Sequence, residues 1–303
     1  MREHIPLDGT SLGLDPPVAL HHRVAQVAQL SCLLEASVHK PGNVSPFRAF
    51  PDMDYLDFVK SAVAIGPVMA QAARAPVGLV ILRAVQEVRR WTHANTNLGT
   101  VLLFAPLARA ACLGGPLRER LGEVLRDLTV EDARWTYEAI RLANPGGLGR
   151  VKDQDVWDTP TVTLREAMQL AADRDAVARE YVTDYAITFH VGAPSLRKAR
   201  SAGLPLPRAV VFTFLRVLGE VPDTLIARKR GLHEAQEASR RAREVFAHGD
   251  LESKKARAGL RALDRWLRRC GNARNPGTTA DLVCAALFAV LWEDGIAGWR
   301  WGG

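Results

Sequence analysis

Carboxylates, cations and amides recur at what read as helix ends, in combinations that suit acid–base chemistry on a phosphorylated ligand. The stretch Glu35-Ala-Ser-Val-His39-Lys40-Pro41-Gly42-Asn43 places a carboxylate near the end of an apolar helix, where the helix dipole disfavours it. Glu35 can therefore act as a base or anchor a cation, with His39 beside it as a second acid–base group. A polar-face surface residue is the bland alternative. Lys40 and Asn43 are candidates for phosphate or nucleotide contacts, although Pro41 and Gly42 also serve simply to stop a helix. In Phe50-Pro51-Asp52-Met53-Asp54 two carboxylates stand two residues apart at a helix start. Mg²⁺ takes one or two such oxygen ligands together with substrate phosphates, whereas helix capping accounts for one Asp but not both.

Three further clusters follow. Asn95-Thr96-Asn97-Leu98-Gly99 is an amide-rich turn between apolar helices, with Asn95 and Asn97 suited to ribose hydroxyls or a base edge, or to plain capping. In the segment from Pro222 to Gly231, Asp223 precedes Arg228-Lys229-Arg230. An acid followed by such cations can hold metal and polyphosphate together, since guanidinium forks pair with phosphate oxygens. Asp281, after Asn275-Pro-Gly-Thr-Thr-Ala, enters an apolar helix. Asp223 and Asp281 thus join Asp52 and Asp54 as candidate metal ligands. The glycine-rich run at 146–150 lacks the Lys-Ser/Thr of a P-loop and has no preceding strand, which excludes that reading.

These groups must be positioned by helices. Leu20, Val24, Val27, Leu30 and Leu34 carry an apolar rhythm of about 3.6 residues, which predicts a helix from the Asp15-Pro16-Pro17 punctuation to about Val38. Further helices are expected from Asp52 or Asp54 and over 77–93. Another follows Asn97, bent near Pro106, and one more runs along Leu117–Leu128. Thr129 with Asp132 and Thr163 with Glu166 read as capping boxes, the second opening a helix toward about His190. Helices also fit 208–219, 233–247, 251–269 and 279–293. Alternating strand patterns are almost absent. The expectation is an all-α fold, a single orthogonally packed multi-helix domain over residues 1–303.

The composition of the 303 residues, 48% hydrophobic and 24% charged, is that of an ordinary globular protein. Cys32, Cys112, Cys270 and Cys284 form no CxxC pair, so neither a disulfide framework nor a structural zinc site is expected. No signal-peptide pattern and no long apolar run appear, which points to a cytoplasmic protein without a membrane partner. Of the net charge of +7, residues 226–274 hold 14 Lys/Arg against 6 Asp/Glu, so this one region carries the whole excess. That excess fits a polyanionic substrate or partner, or a pair of solvated helix faces. A nucleic-acid-binding helical protein is the competing class, though no helix-turn-helix, RRM or OB signature occurs. A non-catalytic nucleotide-binding module is another.

Taken in order, EASVHKPGNV, PDMDYLDFVKSA, NTNLG, PDTLIARKRG and NPGTTADL resemble the triphosphoribosyl-dephospho-CoA synthase family. The resemblance implies an all-helical, Mg²⁺-dependent transferase that joins ATP to 3′-dephospho-CoA and expels adenine. It implies Glu35 as base or metal-water anchor, with Asp52 and Asp54 at the Mg²⁺. Lys40, Arg228 and Lys229 would then be on phosphates, and Asn95 and Asn97 on ribose or base. The family's lyase-pathway enzymes look like NTHKG where this chain has Asn97 and Leu98. The family implies dephospho-CoA as acceptor, and this departure points to a divergent branch with a related acceptor, such as a methanopterin-type one-carbon carrier precursor.

Overall fold

The computed structural model describes residues 16–247 and 251–302. Asp15 and the polar N-terminal segment read above lie outside them. Among the described residues the fold is all helical. The first half comprises α1 (Pro16–Ser37), α2 (Tyr55–Met69), α3 (Val77–Trp91), α4 (Leu98–Cys112), α5 (Leu117–Arg126) and α6 (Val130–Ala143). The second half comprises α7 (Leu164–Ala171), α8 (Ala176–Val182), α9 (Ala193–Ser201), α10 (Leu206–Glu220), α11 (Thr224–Arg230), α12 (Leu232–Ala247), α13 (Lys254–Arg268) and α14 (Gly277–Asp294). No single helix among the described residues is long and apolar enough to cross a membrane.

Side-chain caps open six of the described helices. Asp54, Thr129 and Thr163 each accept the N–H of the residue three along, whose own carboxylate returns the bond to the cap's N–H. Those at Thr129 and Thr163 are the reciprocal capping boxes the spacing predicts, and the one at Asp54 is a third. The helix expected from Thr163 toward His190 is instead broken. α7 stops at Ala171, and Asp175 caps α8 by accepting from the Val177 and Ala178 N–H groups. A π turn at Thr188–Gly192 leads into α9. Between them Asp184 and Tyr185 adopt positive φ, and the buried Glu180 carboxylate holds the bend by accepting from Ile187 N, Thr188 N and Thr188 Oγ1. Apolar periodicity continues across these breaks, which is why it reads as one helix.

Two helices, α4 and α14, are apolar on nearly every face, and they form the centre of the core. α14 packs against α1, α4, α9 and α10. A helix buried all round has no solvent to satisfy broken backbone bonds, and α4 contains Pro106. Proline lacks the N–H that would bond the carbonyl four residues back. That carbonyl, Leu102 O, accepts instead from the Tyr181 hydroxyl at 2.6 Å. Tyr185 donates similarly to Leu103 O at 3.0 Å. The same solution recurs in α2, where Pro67 frees Val63 O and Gln29 Nε2 of α1 donates to it at 3.1 Å. Side chains from neighbouring helices thus complete the two interrupted ladders.

Tyr181→Phe removes only the hydroxyl and leaves a buried carbonyl unpaired. It should cost about 1–3 kcal/mol of stability, read from urea or guanidinium unfolding, and an unchanged midpoint would show that Leu102 O finds another donor.

Candidate active site

The Glu35 paradox resolves at the end of α1. Lys40 is fully buried, and its ammonium lies 3.0 Å from Glu35 Oε1. The same Nζ donates to Glu35 O and, at 2.9 Å, to Val38 O. One cation therefore binds a carbonyl of the helix's last turn and the one just past its end, opposes the unfavourable end of the dipole and pairs with the carboxylate. Burial pushes the Glu35 carboxyl up, and the Lys40 charge and hydrogen bond oppose that rise. Lys40 is thereby corrected: it has no exposed surface and is committed to α1, so it is not a phosphate-reaching side chain.

Glu35 opens onto a cleft of about 1040 Å³, at the upper end of small-molecule sites. Its wall opposite α1 is the start of α14. Asp281 accepts from Thr100 Oγ1 at 2.7 Å, joining α14 to the first turn of α4. The approach is close: a Cβ on Gly99 would fall 2.1 Å from Asp281 Oδ2, so position 99 needs glycine. Burial pushes the Asp281 carboxyl up to about 8; Thr100 lowers it, while the charges of Glu35 and Asp223 raise it further. At neutral pH this residue carries a proton.

Asn43 and Asn97 both line the cleft and are both more than nine-tenths buried. Asn43 Nδ2 donates to Asn275 Oδ1 at 2.7 Å, while its Oδ1 has no partner in the protein. Asn97 Nδ2 is likewise unpartnered. Buried amide atoms cost free energy when unpaired, and these two are positioned to be completed by a ligand. Asn95 also lines the cleft. At the rim lie Asp52, Arg228, Lys229 and Asn272. Asn272 donates to Asp52 through its side chain and accepts from Lys229 Nζ at 3.4 Å through its backbone. Arg228 pairs with Asp175.

Three other expected site residues stand elsewhere. His39 is exposed and outside the cleft, because the chain turns as α1 ends; its Nδ1 lies 3.2 Å from Ser45 Oγ. Asp54 is the α2 cap and is also outside the cleft, so only Asp52 of that pair is available. Asp223 is buried and used up, accepting from Ile226 N at 3.0 Å and from Thr279 N and Oγ1 at 2.7 and 2.8 Å. It caps α11 and ties that helix to α14. The sequence reading missed Thr100, Gly99 and Asn272. It also left the 144–160 loop without a role, although residues 144–151 and 153–156 wall the cleft. The loop is ordered by Asp155, 2% exposed, which accepts from Val151 N and Trp157 N. Tyr137 and Arg141 of α6 bind the loop carbonyls of Gln154 and Val156.

The sequence model of the ATP:dephospho-CoA triphosphoribosyl transferase family matches residues 21–299, which include every residue placed in this cleft. The chain belongs to that family. A relative from Azotobacter vinelandii is 33% identical over 90% of this chain and 92% of its own length. One from Malonomonas rubra is 26% identical over 94% and 91%. Both bear the name 2-(5″-triphosphoribosyl)-3′-dephosphocoenzyme-A synthase. A crystal structure from Archaeoglobus fulgidus, titled as a triphosphoribosyl-dephospho-CoA synthase, superposes with a TM-score of 0.61 at 28% identity, covering 79% of this chain and 99% of that one. The transferase fold expected from the motifs, all helical, is the one observed.

In this transferase the raised Asp281 makes a stability prediction. Its folded pKa of about 8 exceeds the model-peptide value of 3.8, so the folded state holds the proton more tightly and stability falls as pH rises between those values. Asp281→Asn should therefore melt at a higher temperature than the native protein, by a margin that grows from about pH 4 to pH 8. Parallel melting curves across that range would remove the buried-proton assignment.

Proposed function

We propose that this enzyme transfers the triphosphoribosyl group of ATP to a hydroxyl of 3′-dephospho-CoA, or of a related acceptor, with release of adenine. The observation that carries the reading is the polarity of the cleft. Glu35, Asp281 and two incompletely bonded amides lie at its buried end, and Arg228, Lys229 and Asn272 lie at its rim. Such a cleft can hold a triphosphate by its charge at the rim while presenting the ribose to carboxylates inside.

The reaction breaks the bond between the ribose anomeric carbon and adenine and forms one to the acceptor oxygen. Positive charge develops on the ribose, and the Glu35 carboxylate, held by Lys40, is placed to offset it and to take the hydroxyl proton. The departing base needs a proton, and Asp281 is the cleft group that holds one at neutral pH. General acid–base assistance of this kind contributes about 10²–10⁴-fold. Asn97 Nδ2 and Asn43 Oδ1 supply one donor and one acceptor for ribose or base.

Mg²⁺ fits the rim better than the floor. Among the described residues no cluster of three or more His, Cys, Asp or Glu could cage a metal. Mg²⁺ keeps much of its water and binds through one or two carboxylates and phosphates. Asp52, exposed beside Asn272 and Lys229, would hold it against the triphosphate, whose charge it would neutralise. Asn97 and Leu98 leave this part of the cleft wall uncharged where the lyase-pathway enzymes resemble His-Lys, which widens the acceptor from dephospho-CoA to other ribosyl acceptors such as a pterin-type precursor.

Chromatography of reactions containing ATP, Mg²⁺ and dephospho-CoA, then pterin-type acceptors, should show adenine formed in step with turnover. ADP or AMP without adenine would overturn the mechanism. Glu35→Gln should lower turnover at least about 10²-fold. Native kcat should fall above about pH 8, and Asp281→Asn should lose that limb together with most of the rate. Asp52→Asn should raise the Mg²⁺ concentration required, whereas Asp54→Asn should leave it unchanged and cost about 1 kcal/mol of stability as a lost cap.

A further inference from the structure

The basic region reaches the surface chiefly on α13. Counting about 100° per residue along a helix, Lys254, Arg257, Arg261, Arg265 and Arg269 fall within an arc of about 120°. All five are exposed. None has an ion-pair or hydrogen-bond partner among the described residues. Arg257, Arg261, Arg265 and Arg269 form an unbroken i,i+4 ladder of like charge, an arrangement that destabilises a helix. The neighbouring α12 is built the other way: Arg240 and Arg241 are each neutralised by Glu237, and Arg240 also by Glu244. The one acid on α13, Asp264, is spent on Arg268 and on the N–H of Gly42. A solvated face has no need of an unneutralised ladder, and the buried side of α13, with Leu263, Trp266 and Leu267, already secures its packing.

What lies around the ladder narrows the partner. Between the cations the exposed face offers Ala258 and Ala262, small residues that let another backbone come close. It offers no Asn, Gln, Ser or Thr to read base edges, and its own aromatic, Trp266, is buried beneath Arg241 and Arg274. The C-terminal end of α13 meets the loop after α1, where Arg268 donates to Asn43 O and lies over the Phe50 ring. At the tip of that loop Phe47 is 82% exposed. An exposed aromatic beside arginines has the composition of a protein-interface anchor.

We propose that the exposed face of α13, with Phe47 at one end, docks an acidic helix of a protein partner beside the cleft mouth. Carboxylates spaced i,i+4 on that partner would match the arginine ladder step for step, about 6 Å apart. The Ala258 and Ala262 positions would receive its backbone, and Phe47 would insert into its apolar side. Asn272, at the cleft rim, follows the last rung of the ladder by three residues, so the docked partner stands next to the mouth of the cleft.

The full chain can be tested against three probes by fluorescence anisotropy at two salt concentrations. The first is an 18-residue helical peptide with Glu at i,i+4 on one face, and the second the same composition with the acids dispersed around the helix. The third is a 20-base-pair DNA duplex. The expected result is salt-sensitive binding of the one-faced peptide, at least about tenfold tighter than the dispersed peptide and tighter than DNA. Arg257→Gln, Arg261→Gln and Arg265→Gln combined should reduce that binding at least tenfold and leave turnover of ATP unchanged. The same triple variant should melt at a higher temperature, because the ladder's repulsion is removed. Phe47→Ala should weaken peptide binding without altering melting. Equal binding of the two peptides, tighter binding of DNA, or binding that survives the triple substitution would each overturn the proposal.

Discussion

The ammonium of Lys40 is the group on which the site's architecture rests. It is wholly buried, and its contacts are the Glu35 carboxylate and the carbonyls of Glu35 and Val38. Breaking a buried ion pair by removing one partner costs about 3–5 kcal/mol, because the remaining charge is stranded. Here α1 would lose a carbonyl partner in its last turn as well. The pair fixes where α1 ends and where the chain turns into the 41–53 segment. It thereby sets the approach of Asn43 to Asn275 and of Asp52 to Asn272. One cation thus connects a helix terminus, a carboxylate in the cleft and two walls of the cleft.

Lys40 compensates only one of three acids whose charges interact in this region. Asp223 and Asp281 couple to each other, and Glu35 couples to Asp281. The other two are handled differently. Asp223 is charge-compensated by hydrogen bonds from two backbone N–H groups and a hydroxyl, and that commitment makes it a joint between α11 and α14. Burial pushes both carboxyls up; at Asp223 three donors and the Arg228 charge oppose the rise, and at Asp281 Thr100 alone does so. Desolvation competes with hydrogen bonding to the charged form at each, but only Asp281 faces the cleft.

The sequence revealed whatever is decided within a few residues. The capping boxes at Thr129 and Thr163 could be read because both partners sit three apart, and the core helices because apolar spacing survives in one dimension. Asp52 and Asp54 looked equivalent as a carboxylate pair, although Asp57, three residues after Asp54, marks that one as a cap, while Asp52 reaches Asn272, 220 residues away. Lys40 looked like a phosphate ligand because its side chain folds back onto Glu35 and Val38, a direction that residue spacing alone does not display. Thr100 was invisible as a site residue for the same reason: its partner Asp281 is 181 residues distant. The break between α7 and α8 went unseen because the apolar rhythm carries through it. The 144–160 loop read as irregular, yet Asp155 and the α6 side chains make it a wall. The five motif blocks nevertheless pointed to the right family, since a motif records the outcome of tertiary contacts without displaying them.

A last physical distinction separates the parts of this molecule that hold it together from the parts that act. Wherever the core interrupts its own bonding, a neighbour completes it: Tyr181 for the carbonyl freed by Pro106, Gln29 for the one freed by Pro67. These repairs cross between helices and leave nothing for a ligand to do. In the cleft two amide atoms lack such a neighbour, as do a few buried atoms elsewhere, Thr136 Oγ1 and Thr213 Oγ1 among them. Asn43 Oδ1 and Asn97 Nδ2 are buried without partners, and Asp281 is denied the cation that would ionise it. Because these polar atoms lie against open volume while the core's carbonyls do not, their missing partners are most simply supplied by substrate. Binding free energy would then be gained where the empty protein is least satisfied, and the donor and acceptor left open would favour a ligand presenting the complementary pair.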